Sequence, residues 1–206
     1  MEENKNICIF GASIIWGAYD PENGGWVTML RNYYEEKGGR NVYNLGISGD
    51  TTEDLLKRIE TEAFVREPGM IIFGIGINDS QFLKKENRNQ VFLEKFKSNL
   101  KELLSIGYKF TDKIIFIGLT NVDNSKVSID SYADDHLYKS EFVEEYNNTL
   151  KEFCDAEKIP FLNVFDLLDK NDLEDGLHPN SQGHKKLFNK IRDFLEDKIG
   201  SALFLK

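Results

Sequence analysis

The sequence predicts an α/β domain in which helices cover both faces of a parallel β-sheet. Short apolar segments alternate along the chain with longer segments whose apolar residues recur at helical spacing. Most of the short segments lack alternation of polar and apolar residues, as expected for parallel strands buried on both faces. Five strands and five helices in alternation indicate a three-layer α/β/α sandwich with right-handed crossover connections.

The predicted strands are four to six residues long, and each is followed by a predicted helix. The strands are Ile7–Phe10, Val42–Leu45, Met70–Ile75, Lys113–Gly118 and Pro160–Val164. The apolar stripes of the helices run from Trp26 to Tyr33, Leu55 to Ala63, Phe92 to Leu104, Phe142 to Phe153 and Leu187 to Leu195. Thr51 and Asp54 have the spacing of a capping box at the second helix, and Ser181 is expected to cap the last one.

Composition favours one globular domain over residues 1–206, since 40% hydrophobic content in 206 residues is enough for a core. Lys and Arg number 26 against 35 Asp and Glu, so the net charge is 26 − 35 = −9. This charge argues against binding to nucleic acid or to an anionic membrane surface. The polar residues 1–6 and the short apolar segment after them predict a cytoplasmic protein without signal peptide or membrane anchor.

The two cysteines lack the spacing of metal ligands. Cys8 lies in a predicted strand and Cys154 in a predicted helix, so both are expected to be buried structural thiols. We expect no metal and no cofactor. The sequence favours neither a monomer nor an oligomer.

Residues whose side chains or backbone groups could take part in catalysis follow four of the five predicted strands. Ligands bind at these strand ends in open α/β sheets. Ser13 follows the first strand, Gly49 the second, Asn78 the third, and Asp175 and His178 the fifth. Each alone has a common structural explanation, as a helix cap or part of a turn. Together they supply a nucleophile, a base with its acid, and hydrogen-bond donors for an oxyanion, which is the equipment of acyl transfer.

The segments around these residues resemble the four motifs of the SGNH hydrolase superfamily, also called GDSL esterases and lipases. The resemblance extends from Ile7 to about Ile199. The segments that carry it are Phe10–Ile14, Asn44–Thr52, Gly76–Asp79 and Asp175–Asn180.

The resemblance implies a role for each site residue. Ser13 would be the nucleophile, His178 the base and Asp175 the acid that orients the base. The oxyanion would bind the backbone N–H groups of Ser13 and Gly49 and the side-chain amide of Asn78. The family also implies two-step ester hydrolysis without a metal, and a flavodoxin-like strand order of 2-1-3-4-5.

Two positions depart from the family pattern. Ala12 stands where the family usually has an aspartate beside the nucleophile, which puts the hydrogen bonding of that turn in doubt. Ile77 stands between Gly76 and Asn78, where the family often has a smaller or polar residue, and it is expected to narrow the pocket.

The sequence indicates the substrate less clearly than it indicates the reaction. We expect a small-molecule ester with a short-chain or carbohydrate-borne acyl group such as acetate, with thioesters and lysophospholipids as variants. Trp16, Tyr19 and Trp26 either line the pocket or pack in the core. Residues 120–139, which include Tyr132, His136 and Tyr138, are hypothesised to form a lid that shapes specificity. His136 and His184 are predicted to be surface residues rather than metal ligands.

Two other functions remain open. A hydrolase-like fold without catalysis is suggested only by Ala12. A flavodoxin-like protein that binds a nucleotide or flavin has weak support, since Gly74-x-Gly76 lacks the third glycine of a dinucleotide motif and no Walker motif is present.

Overall fold

The computed structural model describes residues 6–37, 39–127 and 136–199. Its strands and helices alternate along the chain, as the sequence predicts. The strands are β1 (Asn6–Gly11), β2 (Asn41–Gly46), β3 (Met70–Gly74), β4 (Phe82–Leu83), β5 (Arg88–Asn89), β6 (Ile114–Ile117), β7 (His136–Leu137) and β8 (Phe161–Leu162). The helices are α1 (Ser13–Trp16), α2 (Trp26–Glu36), α3 (Thr52–Phe64), α4 (Leu93–Gly107), α5 (Asn124–Val127), α6 (Ser140–Glu157) and α7 (Ser181–Ile199).

Five parallel strands form the main sheet in the order β2-β1-β3-β6-β8. These are the five predicted strands, so both the fold class and the 2-1-3-4-5 order are confirmed. Gly11 at the end of β1 lies in register with Gly46 of β2 and Gly74 of β3. A side chain at Gly11 would collide with the Gly74 carbonyl and with Ile15. The three strands therefore end at the same level, which brings the loops that follow them together.

Two apolar clusters lie on opposite faces of the sheet. On one face, Cys8 and Phe10 of β1 pack with residues of α3, α4 and α6. On the other face, Ile7 and Ile9 pack with residues of α2 and α7. Successive residues of β1 thus point to opposite faces and are apolar on both, which is why the sequence of this strand shows no polar alternation.

The capping predictions have different outcomes. The Thr51 hydroxyl accepts from Asp54 N and the Asp54 carboxylate accepts from Thr51 N, which confirms the capping box of α3. The prediction that Ser181 caps α7 is wrong. The Asn180 Oδ1 atom instead accepts hydrogen bonds from the N–H groups of Gln182 and Gly183, each at 3.1 Å. Asn and Ser both favour the N-cap position of a helix. Because α7 begins at Ser181, the N-cap is Asn180.

A second, antiparallel sheet in the order β5-β4-β7 was not predicted. Each of its strands has two residues, too few for any periodicity in the sequence. It pairs Phe82 and Leu83 with Leu137 and His136. Through this pairing, the chain after residue 135 is held against the loop that follows β3.

Cys8 and Cys154 are buried free thiols, as predicted. Burial raises the pKa of each thiol to about 12, so both remain protonated and unreactive near neutral pH. Among the helices that the structure describes, none combines the length and apolar character that crossing a membrane requires.

Candidate active site

Ser13 is the first residue of α1 and directly follows the turn at the end of β1. Its side chain is largely buried, with 7% of the residue exposed. Because the first N–H groups of a helix have no acceptor in a preceding turn, the Ser13 N–H can serve a ligand. Gly17, at φ 102°, ends the helix after one turn. The serine is therefore held on a tight strand-to-helix turn at the carboxyl edge of the sheet.

His178 contacts both Ser13 and Asp175. The His178 Nε2 atom lies 2.9 Å from Ser13 Oγ, and its Nδ1 atom lies 2.7 Å from Asp175 Oδ2. The other carboxylate oxygen of Asp175 accepts from the N–H groups of Leu177 and His178 at 2.9 and 2.7 Å. A carboxylate can only accept from Nδ1–H, so the structure favours the tautomer in which Nε2 accepts from the serine hydroxyl.

The loop that carries Asp175 and His178 is anchored from within and from α5. Glu174 N donates to His178 O at 2.9 Å, which closes the loop on itself. Asp123 N donates to Gly176 O at 2.8 Å, and Lys126 Nζ reaches the carbonyls of Leu173 and Glu174 at 3.1 Å each. The position of the histidine thus depends on α5, whose Lys126 precedes Leu173 by 47 residues and Glu174 by 48.

The side-chain amide of Asn78 is fixed at both ends. Asn78 Nδ2 donates to Asp50 O at 2.9 Å, and Asn78 Oδ1 accepts from Tyr138 Oη at 2.6 Å. Burial raises the pKa of Tyr138, so its hydroxyl remains a neutral donor. An amide nitrogen carries two N–H bonds, and only one is used by Asp50. The other can donate to a ligand.

Gly49 lies in the loop between β2 and α3, in the left-handed region at φ 88°. No atom lies within 4 Å of the position where a side chain would begin, so the glycine meets a requirement of backbone conformation and not one of space. The loop is exposed at this residue. Ser13, Gly49 and Asn78 therefore follow three adjacent strands, as the sequence predicts.

Arg58 of α3, which the sequence analysis missed, ties the ends of β1 and β2 together. Its Nη2 atom donates to the carbonyls of Gly11 and Leu45 at 3.2 and 3.0 Å, and its Nε atom donates to Asp50 Oδ2 at 2.7 Å. In the sequence it is a charged residue next to Ile59, on the apolar stripe of α3. That position could have indicated a buried cation facing the strand ends.

A buried polar group joins the loop after β3 to the start of α3. The Asp79 carboxylate accepts from the Thr52 N–H at 3.0 Å and from the Thr52 hydroxyl. Asn99 Nδ2 in turn donates to that hydroxyl at 2.8 Å. Burial raises the pKa of Asp79 to about 7, against the opposing effect of the Thr52 donors. These contacts link Asn78, through the next residue, to the loop that carries Gly49.

The turn at Ala12 is satisfied without the missing carboxylate. Ala12 O accepts from the N–H groups of Ile15 and Trp16 at 3.1 and 2.9 Å. Ala12 also lines a cavity of about 30 Å³ together with Ile77 and Leu119. A carboxylate at position 12 would lie among these apolar side chains, where charge is unfavourable.

The three aromatic residues after Ser13 have different environments. Trp26 is buried in the core beside α7. Trp16 and Tyr19 are 59% and 48% exposed. The Tyr19 ring stacks on His178 with centroids 5.1 Å apart and an angle of 28° between the planes. Tyr19 therefore forms part of the rim of the site.

His184 is not a surface residue, and that prediction is wrong. It is 0% exposed, and its Nε2 atom lies 2.9 Å from Ala18 O. Its Nδ1 atom accepts from Trp26 N at 3.3 Å. Burial lowers the pKa of His184, which favours the neutral ring. Through its two hydrogen bonds, the ring joins the loop before α2 to α7. His136 is exposed, as predicted.

Within the described residues, no cluster of three or more His, Cys, Asp or Glu side chains could hold a metal ion. Tyr132 and its neighbours at 128–135 lie outside the described residues. The hypothesis that residues 120–139 form a lid stays a prediction, although Tyr138 at the end of that segment reaches the site.

The chain matches stretches of two curated relatives. The uncharacterized lipoprotein YqeF of Bacillus subtilis (strain 168) is 32% identical over 80 residues, which cover 39% of this chain and 32% of the relative. An acetylxylan esterase of Geobacillus stearothermophilus is 34% identical over 84 residues, which cover 38% of this chain and 36% of the relative. The matched stretches span about a third of the length of these relatives.

The similarity to known structures and to a family extends further along the chain. The crystal structure of the lipase/acylhydrolase from Enterococcus faecalis superposes with a TM-score of 0.76 and 25% identity, covering 94% of this chain and 96% of that chain. The family described as GDSL-like lipase/acylhydrolase matches residues 7–191. The chain therefore belongs to the GDSL-like lipase/acylhydrolase family.

Proposed function

We propose that the protein is a serine esterase that hydrolyses carboxylic esters through an acyl-enzyme. Ser13 is the nucleophile, His178 the general base and Asp175 the acid that orients it. The observation that carries the proposal is the continuous chain of hydrogen bonds from Asp175 through His178 to Ser13, at 2.7 and 2.9 Å. This geometry is the one that nucleophilic catalysis by serine requires.

In the first step, Ser13 Oγ attacks the acyl carbon and His178 Nε2 takes its proton. The Asp175 carboxylate stabilises the imidazolium that forms. His178 then gives the proton to the leaving alcohol, which departs as the acyl–Ser13 ester forms. In the second step, His178 activates water, which attacks this ester, and Ser13 is released with its proton restored.

The oxyanion of each tetrahedral intermediate would bind the N–H groups of Ser13 and Gly49 and the amide of Asn78. The three groups follow the adjacent ends of β1, β2 and β3. Donors fixed before the reaction need no reorganisation when charge develops, and removal of one such donor from comparable sites costs about 3 kcal/mol of transition-state stabilisation.

The proposed substrates carry short-chain or carbohydrate-borne acyl groups such as acetate. One relative of this chain bears the name acetylxylan esterase, which supports a small acyl group on a carbohydrate. A panel of p-nitrophenyl esters of increasing chain length, compared with acetylated sugars, measures both preferences.

Labelling with a serine-directed fluorophosphonate tests the nucleophile. We expect one labelled residue, Ser13, and loss of both labelling and ester hydrolysis in Ser13→Ala. The matched control is Ser98→Ala, which removes an exposed serine of α4 and should leave both unchanged. Full esterase turnover in Ser13→Ala would contradict the assignment. An unlabelled, inactive wild type would favour the silent fold, and a yellow purified protein would favour a flavin-binding one.

A further inference from the structure

The short helix α5 and the residue before it pack closely against the loop that carries His178. A Cβ atom at Gly176 would lie 2.6 Å from Lys126 Cβ and 3.1 Å from Asp123 O. Gly176 also has φ 89°, a conformation that residues with side chains rarely adopt. Space and backbone conformation therefore both favour glycine where the loop meets α5.

Hydrogen bonds hold the two segments together at this contact. Asp123 N donates to Gly176 O at 2.8 Å. Lys126 Nζ donates to Leu173 O and to Glu174 O, each at 3.1 Å. An ammonium group has three N–H bonds, so Lys126 can serve both carbonyls at once.

The loop itself is closed by internal contacts. Glu174 N donates to His178 O at 2.9 Å, and Asp175 Oδ1 accepts from the N–H groups of Leu177 and His178. These bonds fix the shape of the loop and the pairing of the base with its acid. They do not fix where the loop lies relative to the rest of the site, which depends on contacts with other segments such as α5.

The same short helix contacts the segment that holds the oxyanion donor. Asn124 Oδ1 accepts from Ser140 N at 2.9 Å. Ser140 is the first residue of α6 and follows the buried Tyr138 by two positions. The Tyr138 hydroxyl donates to Asn78 Oδ1 at 2.6 Å. The helix α5 thus lies between the base loop and the residues that fix the Asn78 amide.

Internal contacts also give α5 a defined shape. Asp123 Oδ1 accepts from Ser125 N at 3.0 Å and from Ser125 Oγ at 2.7 Å. Asp123 O accepts from the N–H groups of Lys126 and Val127 at 2.9 and 3.1 Å. The backbone that carries Asn124 and Lys126 is therefore held as one unit, so the two side chains keep a fixed separation.

We propose that α5 sets the position of the catalytic base relative to the oxyanion donor Asn78, with Lys126 and Asn124 as positioning residues. This role rests on the serine esterase function proposed above and adds a bridge between two parts of its site. In the transition state His178 must reach Ser13 while Asn78 binds the oxyanion of the same substrate. Because both act on one reacting group, a small error in their relative position lowers the rate.

Variants of Lys126 test the end of the bridge at the base loop. Lys126→Met should lower kcat for p-nitrophenyl acetate by about 2- to 10-fold, the range expected for a lost hydrogen bond, with little change in KM. Lys126 is exposed, so water can replace it at the two carbonyls and the variant should fold. Lys126→Arg should restore most of kcat, because a guanidinium can also donate to two carbonyls.

Variants of Asn124 test the other end. Asn124→Ala removes the acceptor for Ser140 N and should lower kcat by a similar factor, again with little change in KM. Asn124→Asp retains an oxygen at this position and should keep a kcat close to that of the wild type. A residue with a merely structural role would instead change the free energy of unfolding without changing kcat.

A double variant tests whether the contacts act as one bridge. Lys126, Asn124 and Tyr138 lie in series, so release of one contact already disconnects the base loop from Asn78. The loss of kcat in Lys126→Met/Tyr138→Phe should therefore be close to the larger of the two single losses. Independent contacts would instead give the product of the two losses.

The matched control is Lys109→Met. Lys109 is also exposed and joins two elements, since its ammonium group pairs with Glu60 of α3 at 2.7 Å, but it contacts no residue of the bridge. This variant should keep the wild-type kcat. Wild-type kcat in either Lys126→Met or Asn124→Ala, or multiplied losses in the double variant, would overturn the role of α5. Absence of fluorophosphonate labelling at Ser13 in the wild type would instead overturn the proposed esterase function.

Discussion

Asn78 has little freedom, because its two amide ends are held by residues from different parts of the chain. Asp50 O accepts from its nitrogen, and Tyr138 Oη donates to its oxygen. If the amide turned over, the Tyr138 hydroxyl would face a nitrogen and the Asp50 carbonyl would face an oxygen. The tyrosine thus acts through Asn78 and is a positioning residue in the proposed mechanism.

Tyr138→Phe should lower kcat for p-nitrophenyl acetate by about 3- to 10-fold, since one neutral hydrogen bond contributes about 1 kcal/mol. KM should change little, because the loss is felt mainly when the oxyanion forms. Steady-state kinetics measure both constants.

Tyr146→Phe is the matched control for the tyrosine. Tyr146 is also buried, and its hydroxyl donates to Val91 O and not to the Asn78 side chain. The Tyr146→Phe variant should have a lower free energy of unfolding than the wild type, without a comparable loss of kcat. Equal kcat values for Tyr138→Phe and the wild type would show that the hydrogen bond does not position the amide.

At the scale of elements, α3 organises the strand ends from one side. Its N-terminus receives the Asp79 carboxylate, and Arg58, on its second turn, reaches the carbonyls of Gly11 and Leu45. The same guanidinium pairs with Asp50 at 2.7 Å. The planar fork of arginine suits several acceptors at once, which an ammonium group does not.

Arg58→Met should lower both stability and kcat. It removes the arginine partner of the largely buried Asp50 carboxylate and one donor to Leu45 O, and a buried group left unsatisfied costs about 1–3 kcal/mol of unfolding free energy. It also loosens the loops of Ser13 and Gly49 relative to one another. Arg58→Lys should give an intermediate kcat, because an ammonium group reaches fewer of the acceptors. Urea unfolding and steady-state kinetics measure the two effects.

The control is Lys57→Met, at the neighbouring position of α3. Lys57 is exposed and pairs with Asp54 at the surface, at 2.7 Å. Such a pair contributes about 0–1 kcal/mol, so the variant should retain both stability and kcat. A kcat for Arg58→Met that matches the wild type would contradict the role of the guanidinium.

The elements show what a sequence can reveal and what it cannot. Strands such as β1 were predictable because apolar residues on both faces leave a continuous apolar segment. The two-residue strands β4 and β7 depend on pairing with each other and leave no local pattern. The positions of Ser13, Gly49, Asn78 and His178 followed from their strands, since parallel strands end at one edge.

The partners of residues that act through tertiary contacts were beyond the sequence patterns, even where the position of the residue itself was informative. Tyr138 reaches Asn78 across 60 residues, and Arg58 reaches Gly11 across 47. His184 is a different case, because its position was readable. It precedes Leu187 by one helical turn on the apolar stripe of α7, so helical periodicity already directed it inward. For this histidine, the place in the helical pattern was a better guide to burial than the residue type.

At the scale of the whole molecule, α7 joins the core to the site. Its later residues Leu187, Ile191 and Leu195 pack against the sheet. Its first turn holds the loop before α2 through Ser181 and His184, and its cap directly follows the His178 loop. Conditions that release this first turn therefore disturb both the fold and the site. Protonation of His184 is such a condition, because Nδ1 could no longer accept from Trp26 N.

Asp79 and His184 affect stability in opposite directions as the pH changes. Burial raises the pKa of Asp79 from 3.8 to about 7, so the folded protein retains a proton that the unfolded chain loses. Its contribution to the unfolding free energy thus falls as the pH rises across that window. Burial lowers the pKa of His184 below 6.5, so the unfolded chain takes up a proton before the folded one does. The contribution of His184 therefore falls as the pH drops below 6.5.

His184→Gln should make the unfolding free energy less sensitive to acid. The titration of a single group changes the slope of the unfolding free energy against pH by at most about 1.4 kcal/mol per pH unit. The variant lacks the contribution of His184 to this slope below about pH 6.5. Urea unfolding at a series of pH values measures the slope separately from any overall loss of stability. The control is His136→Gln, at an exposed position of β7, which should keep the wild-type slope. Identical slopes for His184→Gln and the wild type would mean that the buried histidine does not set the acid sensitivity of the fold.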